Sequence, residues 1–370
     1  MKKLSLCLAA GLSDHQWDRC LRSVQWIVDE VIVVNIGLTA SSRELFKTHG
    51  AKIIDYPRGH ISEALNYGVE QATGDWVLWL HENEYLVQSA HSRLRELIYN
   101  ESHDVVFLHV QETVKTTGDQ THVRVLDVAR PRLFRNRIGF RFVGHLQAVT
   151  LNFEEIFQTK DDNERIQLYS ACQIVGTQSF TQEQMMKQPT LLYRENELRH
   201  SMKSPWSYYE LACEYFRYQK FESMLKQLNE SIRLFLKNKS IPPSIYYVMK
   251  YAEVMEQPLS DNMCRGLDLA LQMYPNHTDL HFYRGLIYYR RQQYKEALAV
   301  FVACTDPENL KGNYTISQGA GCYRTFYFKG KCLEKLKRLD EATQAYMDSI
   351  SGMNTFAPAT QSLEKLKKER

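Results

Sequence analysis

The chain has 370 residues, of which 44% are hydrophobic and 24% charged, and its net charge is +3. That length accommodates two domains with separate cores. So small a net charge argues against nucleic acid or an anionic membrane as partner, and no apolar run approaches the roughly 20 residues of a membrane helix.

The opening stretch Leu4–Ala9 reads as a β-strand. Its apolar run is too short for a signal peptide, and polar Ser13-Asp14-His15-Gln16 follows. The eight cysteines include no CxxC pair, which suits reduced thiols in a cytoplasmic protein. Trp17–Ile27 has helical spacing, with Trp17, Cys20, Leu21 and Val24 on one face. Val31–Val34 is a continuous apolar run of the kind a parallel sheet buries on both faces. Ser41–Thr48 predicts a helix, Lys52–Asp55 a strand, and Ile61–Ala72 a helix ended near Gly74. Trp76–Leu80 and Val105–His109 add further strands. This alternation implies βαβ units and a Rossmann-like, mostly parallel α/β sheet over residues 1–190.

Residues 191–370 read instead as helix after helix, and three segments share one template. Ala212, Tyr215, Met224, Leu228 and Ser231 stand at offsets 0, 3, 12, 16 and 19. Gly285, Tyr288, Ala297, Phe301 and Cys304 repeat those offsets, as do Gly330, Leu333, Ala342, Tyr346 and Ser349. Small positions let paired helices approach, and large ones fill the space between them. The pattern resembles the tetratricopeptide repeat. A weaker fourth pair fits between Ser244 and Tyr274, and the long gap from Gly285 to Gly330 places extra loop around Asp306–Gly321. The Tyr-rich segments, such as Tyr246-Tyr247 and Tyr288-Tyr289, fit a helix-pair core or a peptide groove.

The chemistry should lie near Gly74-Asp75-Trp76-Val77-Leu78-Trp79-Leu80-His81-Glu82-Asn83-Glu84, because ligands of open α/β sheets gather past the carboxyl ends of strands. This stretch resembles the segment of family 2 glycosyltransferases, of GT-A fold, in which an Asp-x-Asp pair holds a divalent cation against the diphosphate of a nucleotide sugar. The two positions here are His81 and Asn83. An imidazole and a neutral amide are weak candidates for the manganese or magnesium of phosphate sites. Glu84 matches the family's trailing acid, and continued strand alternation would turn Glu82 away from His81 and Asn83.

Four other segments carry the resemblance. Ser5-Leu6-Cys7 and Arg19-Cys20-Leu21-x-Ser23-Val24 match the family's opening, with Gly11-Leu12-Ser13 where it has Lys-Asn-Glu. Asn35-Ile36-Gly37-Leu38-Thr39-Ala40 stands where the family has two aspartates near the nucleoside, and Gly37 and Thr39 survive. In His60-Ile61-Ser62-Glu63-Ala64-Leu65-Asn66, Leu65 replaces an arginine, while Ser62, Ala64 and Asn66 match. Arg132-Leu133-Phe134-Arg135-Asn136 with Gly144 matches closely, but His145 comes two places before the family's His and Gln147-Ala148 follow. More weakly, Ile174-Val175-Gly176-Thr177 resembles a later family segment, with Ile174 in place of its His.

The resemblance implies nucleotide-sugar chemistry, with manganese or magnesium only if the protein is active. It makes Glu82, Glu84 and His145 the catalytic candidates, and Asn35, Gly37, Thr39, Asn66, Arg132 and Arg135 the donor-contacting ones. Arg130, Arg132, Arg135, Arg137 and Arg141 would be a phosphate patch or a solvated strand face. Two readings follow. One is a degenerate, weakly active or non-catalytic domain whose repeats bind a protein or peptide. The other is an active transferase whose repeats recruit a protein acceptor. The resemblance also suggests a bacterial protein.

Overall fold

A computed structural model describes residues 2–11, 17–56, 60–99, 103–117, 122–144, 149–156, 166–181, 187–200, 204–254, 261–306 and 322–368. His145, Gln147, Ala148, Leu12 and Ser13 fall outside these, as does nearly all of the loop expected around Asp306–Gly321. The chain forms two compact units, Met1–Pro242 and Pro243–Arg370.

The first unit is built on an eight-stranded sheet. Strands β1 (Leu4–Ala10), β2 (Glu30–Asn35), β3 (Lys52–Asp55) and β4 (Trp76–Trp79) are mutually parallel in the order 3-2-1-4. Helices α1 (Trp17–Val24), α2 (Ala40–Thr48) and α3 (Ile61–Glu70) connect them. Leu4, Leu6, Leu8, Ile32, Val33 and Val34 are completely buried, as continuous apolar runs require of a sheet covered on both faces. The other half differs from the expected mostly parallel sheet. Beyond β4 lie β7 (His122–Arg135), β6 (Val105–Thr117), β10 (Ile166–Thr181) and, at the edge, the short β5 (Glu84–Leu86). β7 is antiparallel to both neighbours and β5 to β10, so only β6 and β10 pair in parallel here. The reason is the short span between β6 and β7, which can close a hairpin but cannot make a crossover. A small ladder, β8 (Phe142–Val143) with β9 (Thr150–Leu151), stands apart, and α4 (His91–Tyr99) and α5 (Phe153–Ile156) complete this region.

The family-like residues at the start of β4 are fold-holding groups. Gly74 lies so close to Ser5 that a Cβ would collide with its hydroxyl and backbone. Its N–H donates to that hydroxyl at 2.9 Å. The Asp75 carboxylate accepts from the Lys3 N–H at 2.7 Å, and the Asn136 amide donates to the Gly74 carbonyl at 2.8 Å. Three segments distant in sequence are thereby pinned at one strand end.

Helices α6 (Pro189–His200), α7 (Pro205–Arg217) and α8 (Phe221–Lys237) also belong to the first unit. Trp206 stacks on Phe153 at 4.7 Å between ring centroids and lies 6.3 Å from Phe107 of β6. Tyr209 donates to the Ala129 carbonyl at 3.3 Å. The last strand ends at Thr181 and α6 begins at Pro189, and the compact unit runs on to Pro242, with Trp206 of α7 joining the sheet's aromatic core.

Among the described residues the second unit contains α9 (Ser244–Val254), α10 (Asp261–Met273), α11 (Thr278–Arg290), α12 (Tyr294–Thr305), α13 (Tyr323–Lys335), α14 (Leu339–Gly352) and α15 (Ala357–Lys368). The predicted offsets fall on the pairs α7–α8, α11–α12 and α13–α14, and local geometry repeats with them. Each first helix ends seven residues after the small position in a left-handed residue, Gln219, Gln292 or Lys337, with φ of 60°, 62° and 63°. The next N–H then reaches back to the carbonyl of Tyr215, Tyr288 or Leu333 at 2.9 Å, the Schellman arrangement. Offset 19 is functional too. Ser231 donates to the Pro205 carbonyl at 2.6 Å, Ser349 to Tyr323 at 2.7 Å, and the Cys304 thiol faces Thr278 at 3.9 Å.

Gly285 and Gly330 face the large position of their own pair: a Cβ would stand 2.5 Å from the Phe301 ring and 2.6 Å from the Tyr346 ring. Gly330→Ala is therefore expected to destabilise the second unit, because overpacking costs about 1–3 kcal/mol against about 1 kcal/mol gained in helix propensity. Urea unfolding of Gly330→Ala, Tyr346→Leu and the double variant checks this. The two substitutions should be strongly non-additive, and additivity would show that the contact does not limit the approach of the helices.

Candidate functional site

The parallel strands end at Ala10, Asn35, Asp55 and Trp79, and the side chains beyond them define the candidate site. The loop after β2 is organised by Asn35. Its carbonyl oxygen accepts from the N–H groups of Gly37 at 2.9 Å and Leu38 at 2.6 Å, and its amide donates to Asp55 at 2.6 Å. This is an Asx turn, in which Gly37 takes φ of 141°. Thr39 caps α2, its hydroxyl accepting from the Ser42 N–H at 3.2 Å. The three expected donor contacts on this loop thus shape the turn. Asp55, unremarked in the sequence beyond closing a strand, is the exposed acid here. The Asn35 amide and the Arg43 guanidinium, the latter 2.7 Å away, hold its carboxyl below the usual range.

Asn66 clamps the backbone of β8. Its amide donates to the Phe142 carbonyl at 2.9 Å and accepts from the Phe142 N–H at 2.7 Å. Ser62 donates to the Gly144 carbonyl at 2.7 Å. The matched Ser and Asn of α3 therefore fix the segment that leads towards His145.

After β4 the chain does not continue as a strand. It turns, with the Glu84 N–H bonded to the His81 carbonyl at 3.0 Å, and restarts as β5. Strand alternation is lost at this turn, so it does not set the direction of Glu82 relative to His81 and Asn83. Glu84 is buried and committed at both oxygens. Oε1 accepts from the Arg132 guanidinium at 2.5 Å, and Oε2 from the His81 N–H at 2.9 Å. Gly176 makes room for it, since a Cβ there would stand 3.3 Å from Glu84 Cγ. The Arg132 guanidinium lies over the Trp79 ring, 3.9 Å from its centroid. Trp79 is itself anchored by its indole N–H to the Pro131 carbonyl at 2.6 Å. His81 meets the same indole edge-on at 5.1 Å and Phe142 meets it at 5.0 Å. Glu82 is half-buried, and burial pushes its carboxyl up. β5 is held to α1 through Ser23, which accepts from the Leu86 N–H at 3.1 Å and donates to the Cys20 carbonyl at 2.6 Å.

Three members of the arginine series are paired with acids rather than aligned on a solvated strand face. Arg132 pairs with Glu84, and Arg135 with Asp104 at 2.9 Å. Arg130 lies against Glu210 at 3.1 Å within a buried network that includes Arg194, Arg217 and Glu214. Only Arg137 and Arg141 face solvent. Sequence spacing located the strand but not the acids opposite it, which lie between 31 and 80 residues away along the chain.

The donors at the strand end do not suit a divalent cation at a phosphate site. His81 offers an imidazole and Asn83 a neutral amide, while the nearest trailing acid, Glu84, already neutralises Arg132. Among the described residues no three His, Cys, Asp or Glu side chains converge as a metal site would need.

Residues 17–155 match the family described as glycosyl transferase family 2. A TPR repeat-containing protein of Synechococcus elongatus is 32% identical over 143 residues, 38% of this chain and 34% of that protein. An uncharacterized glycosyltransferase of Rickettsia typhi is 28% identical over 122 residues, 32% of this chain and 41% of that one. The chain thus spans between about a third and two fifths of the length of these curated relatives. A crystal structure of S. aureus TarS 1-349 superposes with a TM-score of 0.37 at 15% identity, covering 79% of this chain and 92% of that one.

Proposed function

We propose that this chain, whose residues 17–155 match the family described as glycosyl transferase family 2, has lost most or all sugar transfer and acts as a protein-binding scaffold through its helical pairs. The observation that carries this reading is the employment of the candidate site residues. Asn35, Gly37, Thr39, Asn66, Arg132, Arg135 and Glu84 each take part in a bond that holds the fold, and Arg132 and Glu84 are buried. Transfer from a nucleotide sugar needs charge to neutralise the departing diphosphate. Arg132 and Arg135 are already neutralised by Glu84 and Asp104, and His81 with Asn83 supplies no anion to seat a cation. Helix pairs stacked in register present extended surfaces that suit protein segments, which supports a protein or peptide partner.

Titration of the full chain with a panel of nucleotide sugars, with and without manganese, tests the reading by thermal stability and donor hydrolysis. Neither manganese-dependent stabilisation nor turnover is expected. His81→Asp/Asn83→Asp should gain manganese binding, because two carboxylates then stand at the strand end. Turnover by the unsubstituted chain would overturn the proposal in favour of an active transferase acting on a protein acceptor.

A further inference from the structure

The first unit contains a recess lined by none of the strand-end residues. Helices α6, α7 and α8 enclose an open cleft of about 450 Å³, within the size range of small-ligand sites. Its walls carry two carboxylates, Glu195 and Glu230, the latter held by Arg233 at 2.6 Å, and two cations, Arg199 and Lys226, so the charges of its lining residues cancel. Tyr208 and Tyr215 supply aromatic surface, Leu198 and Leu211 aliphatic surface, and Gln227 adds an amide. The Tyr215 hydroxyl donates to Glu195 at 2.6 Å, which fixes both the ring and the carboxylate before any ligand arrives. The burial of the ring and the hydroxyl's bond to Glu195 push its ionisation up to about 12, so it remains a neutral donor.

This chemistry selects among ligand classes. A polyanion would meet two carboxylates, and a polycation two positive side chains. An apolar ligand would strip water from five polar groups without replacing their hydrogen bonds. A neutral polyol suits the lining instead. Carboxylate, amide and guanidinium groups each offer two in-plane hydrogen-bonding atoms for adjacent hydroxyls. The electron-rich Tyr faces suit the C–H side of a sugar ring, whose hydrogens carry slight positive charge.

We propose that the α6–α8 cleft binds a short neutral saccharide, with Tyr208 as its platform and Glu195, Arg199, Lys226 and Gln227 as its hydroxyl partners. The site goes beyond the scaffold reading and is independent of whether the strand end catalyses anything.

Saturation-transfer NMR and calorimetric titration of the full chain with cellobiose, chitobiose and their monosaccharides test it. An uncharged polyether and an acidic hexapeptide serve as control probes. A saturable response to at least one saccharide is expected. Tyr208→Ala and Glu195→Gln should weaken it about tenfold or more, the scale of one lost charge-assisted hydrogen bond or stacking contact. Tyr208→Phe, which keeps the ring, should retain most of the binding. The solvent-facing Arg199→Ala and Lys226→Ala variants should each weaken it with unchanged melting behaviour, so the test survives misfolding of a tyrosine variant. No saturable response to any saccharide would overturn the proposal. So would preference for the hexapeptide, or binding unchanged in Tyr208→Ala and Lys226→Ala. Persistence of the response in Glu82→Gln would separate this cleft from the strand-end site, and its abolition there would overturn the assignment.

Discussion

Arg132→Ala is expected to destabilise the first unit by about 3–5 kcal/mol, the usual result of removing one partner from a buried ion pair. Arg132 and Glu84 side chains are only 4% and 5% exposed, so neither charge can recover its lost hydration. Removing the guanidinium leaves the Glu84 carboxylate with a single donor, the His81 N–H, and leaves the Trp79 face without its cation. Urea unfolding should report the loss, and amide hydrogen exchange should show earlier opening at His81 and Glu84. The paired substitution Arg132→Met/Glu84→Gln should recover most of the stability, since it removes both ions rather than stranding one. A phosphate-binding arginine held in reserve for a ligand would behave oppositely. Its removal would leave the unliganded fold nearly unchanged, and a loss below about 1 kcal/mol, the range of exposed pairs, would sink the structural assignment of Arg132.

Acid is expected to weaken the second unit through His277. The side chain is fully buried, and burial lowers its pKa from 6.5 to about 3. Asp279 lies 3.7 Å from Nδ1, yet the cost of charging the imidazole in that interior outweighs the attraction, so the ring is neutral at pH 7. The unfolded chain binds a proton near pH 6.5 that the folded chain refuses until about pH 3. Stability from this residue is therefore full above pH 6.5 and is lost as pH falls between those values. The slope approaches about 1.4 kcal/mol per pH unit once the unfolded imidazole is charged. Urea midpoints between pH 7 and pH 4, followed by tyrosine fluorescence, should fall more steeply in the unsubstituted chain than in His277→Gln. The comparison cancels the contribution of carboxylates common to both proteins. Parallel pH profiles would show that His277 is charged, or equally neutral, in both states.

Several elements were legible because a periodic pattern reports directly on backbone and burial. Val31–Val34 and Trp76–Trp79 are apolar without a break and became buried central strands. The spacing of Trp17, Cys20, Leu21 and Val24 became the buried face of α1. Offsets of small and large residues located three helix pairs, because a small residue in one helix must meet a large one in its partner, as Gly285 meets Phe301 and Gly330 meets Tyr346. The antiparallel half of the sheet was harder to read. β7 and β10 mix polar and apolar residues along long strands, and parallel or antiparallel pairing depends on neighbours that no local window contains.

The candidate site was legible as a place but not as a set of roles. The resemblance singled out Glu84, Asn66 and Arg135 for chemistry. Each is spent on a partner 48, 76 or 31 residues away, respectively Arg132, Phe142 and Asp104. The expected opposition of Glu82 to His81 and Asn83 rested on strand alternation, which the 81–84 turn removes.

The sequence by itself determined the order of an α/β part and a helical part, the place of the first four strands and the helix-pair register, since hydrophobic period, turn residues and size complementarity act between near neighbours. Only the tertiary structure decided whether His81 to Glu84 and the Arg130–Arg135 series face a ligand or one another. A side chain's charge is satisfied by whichever opposite charge the fold brings within about 3 Å, and that partner is set by sheet order and helix packing.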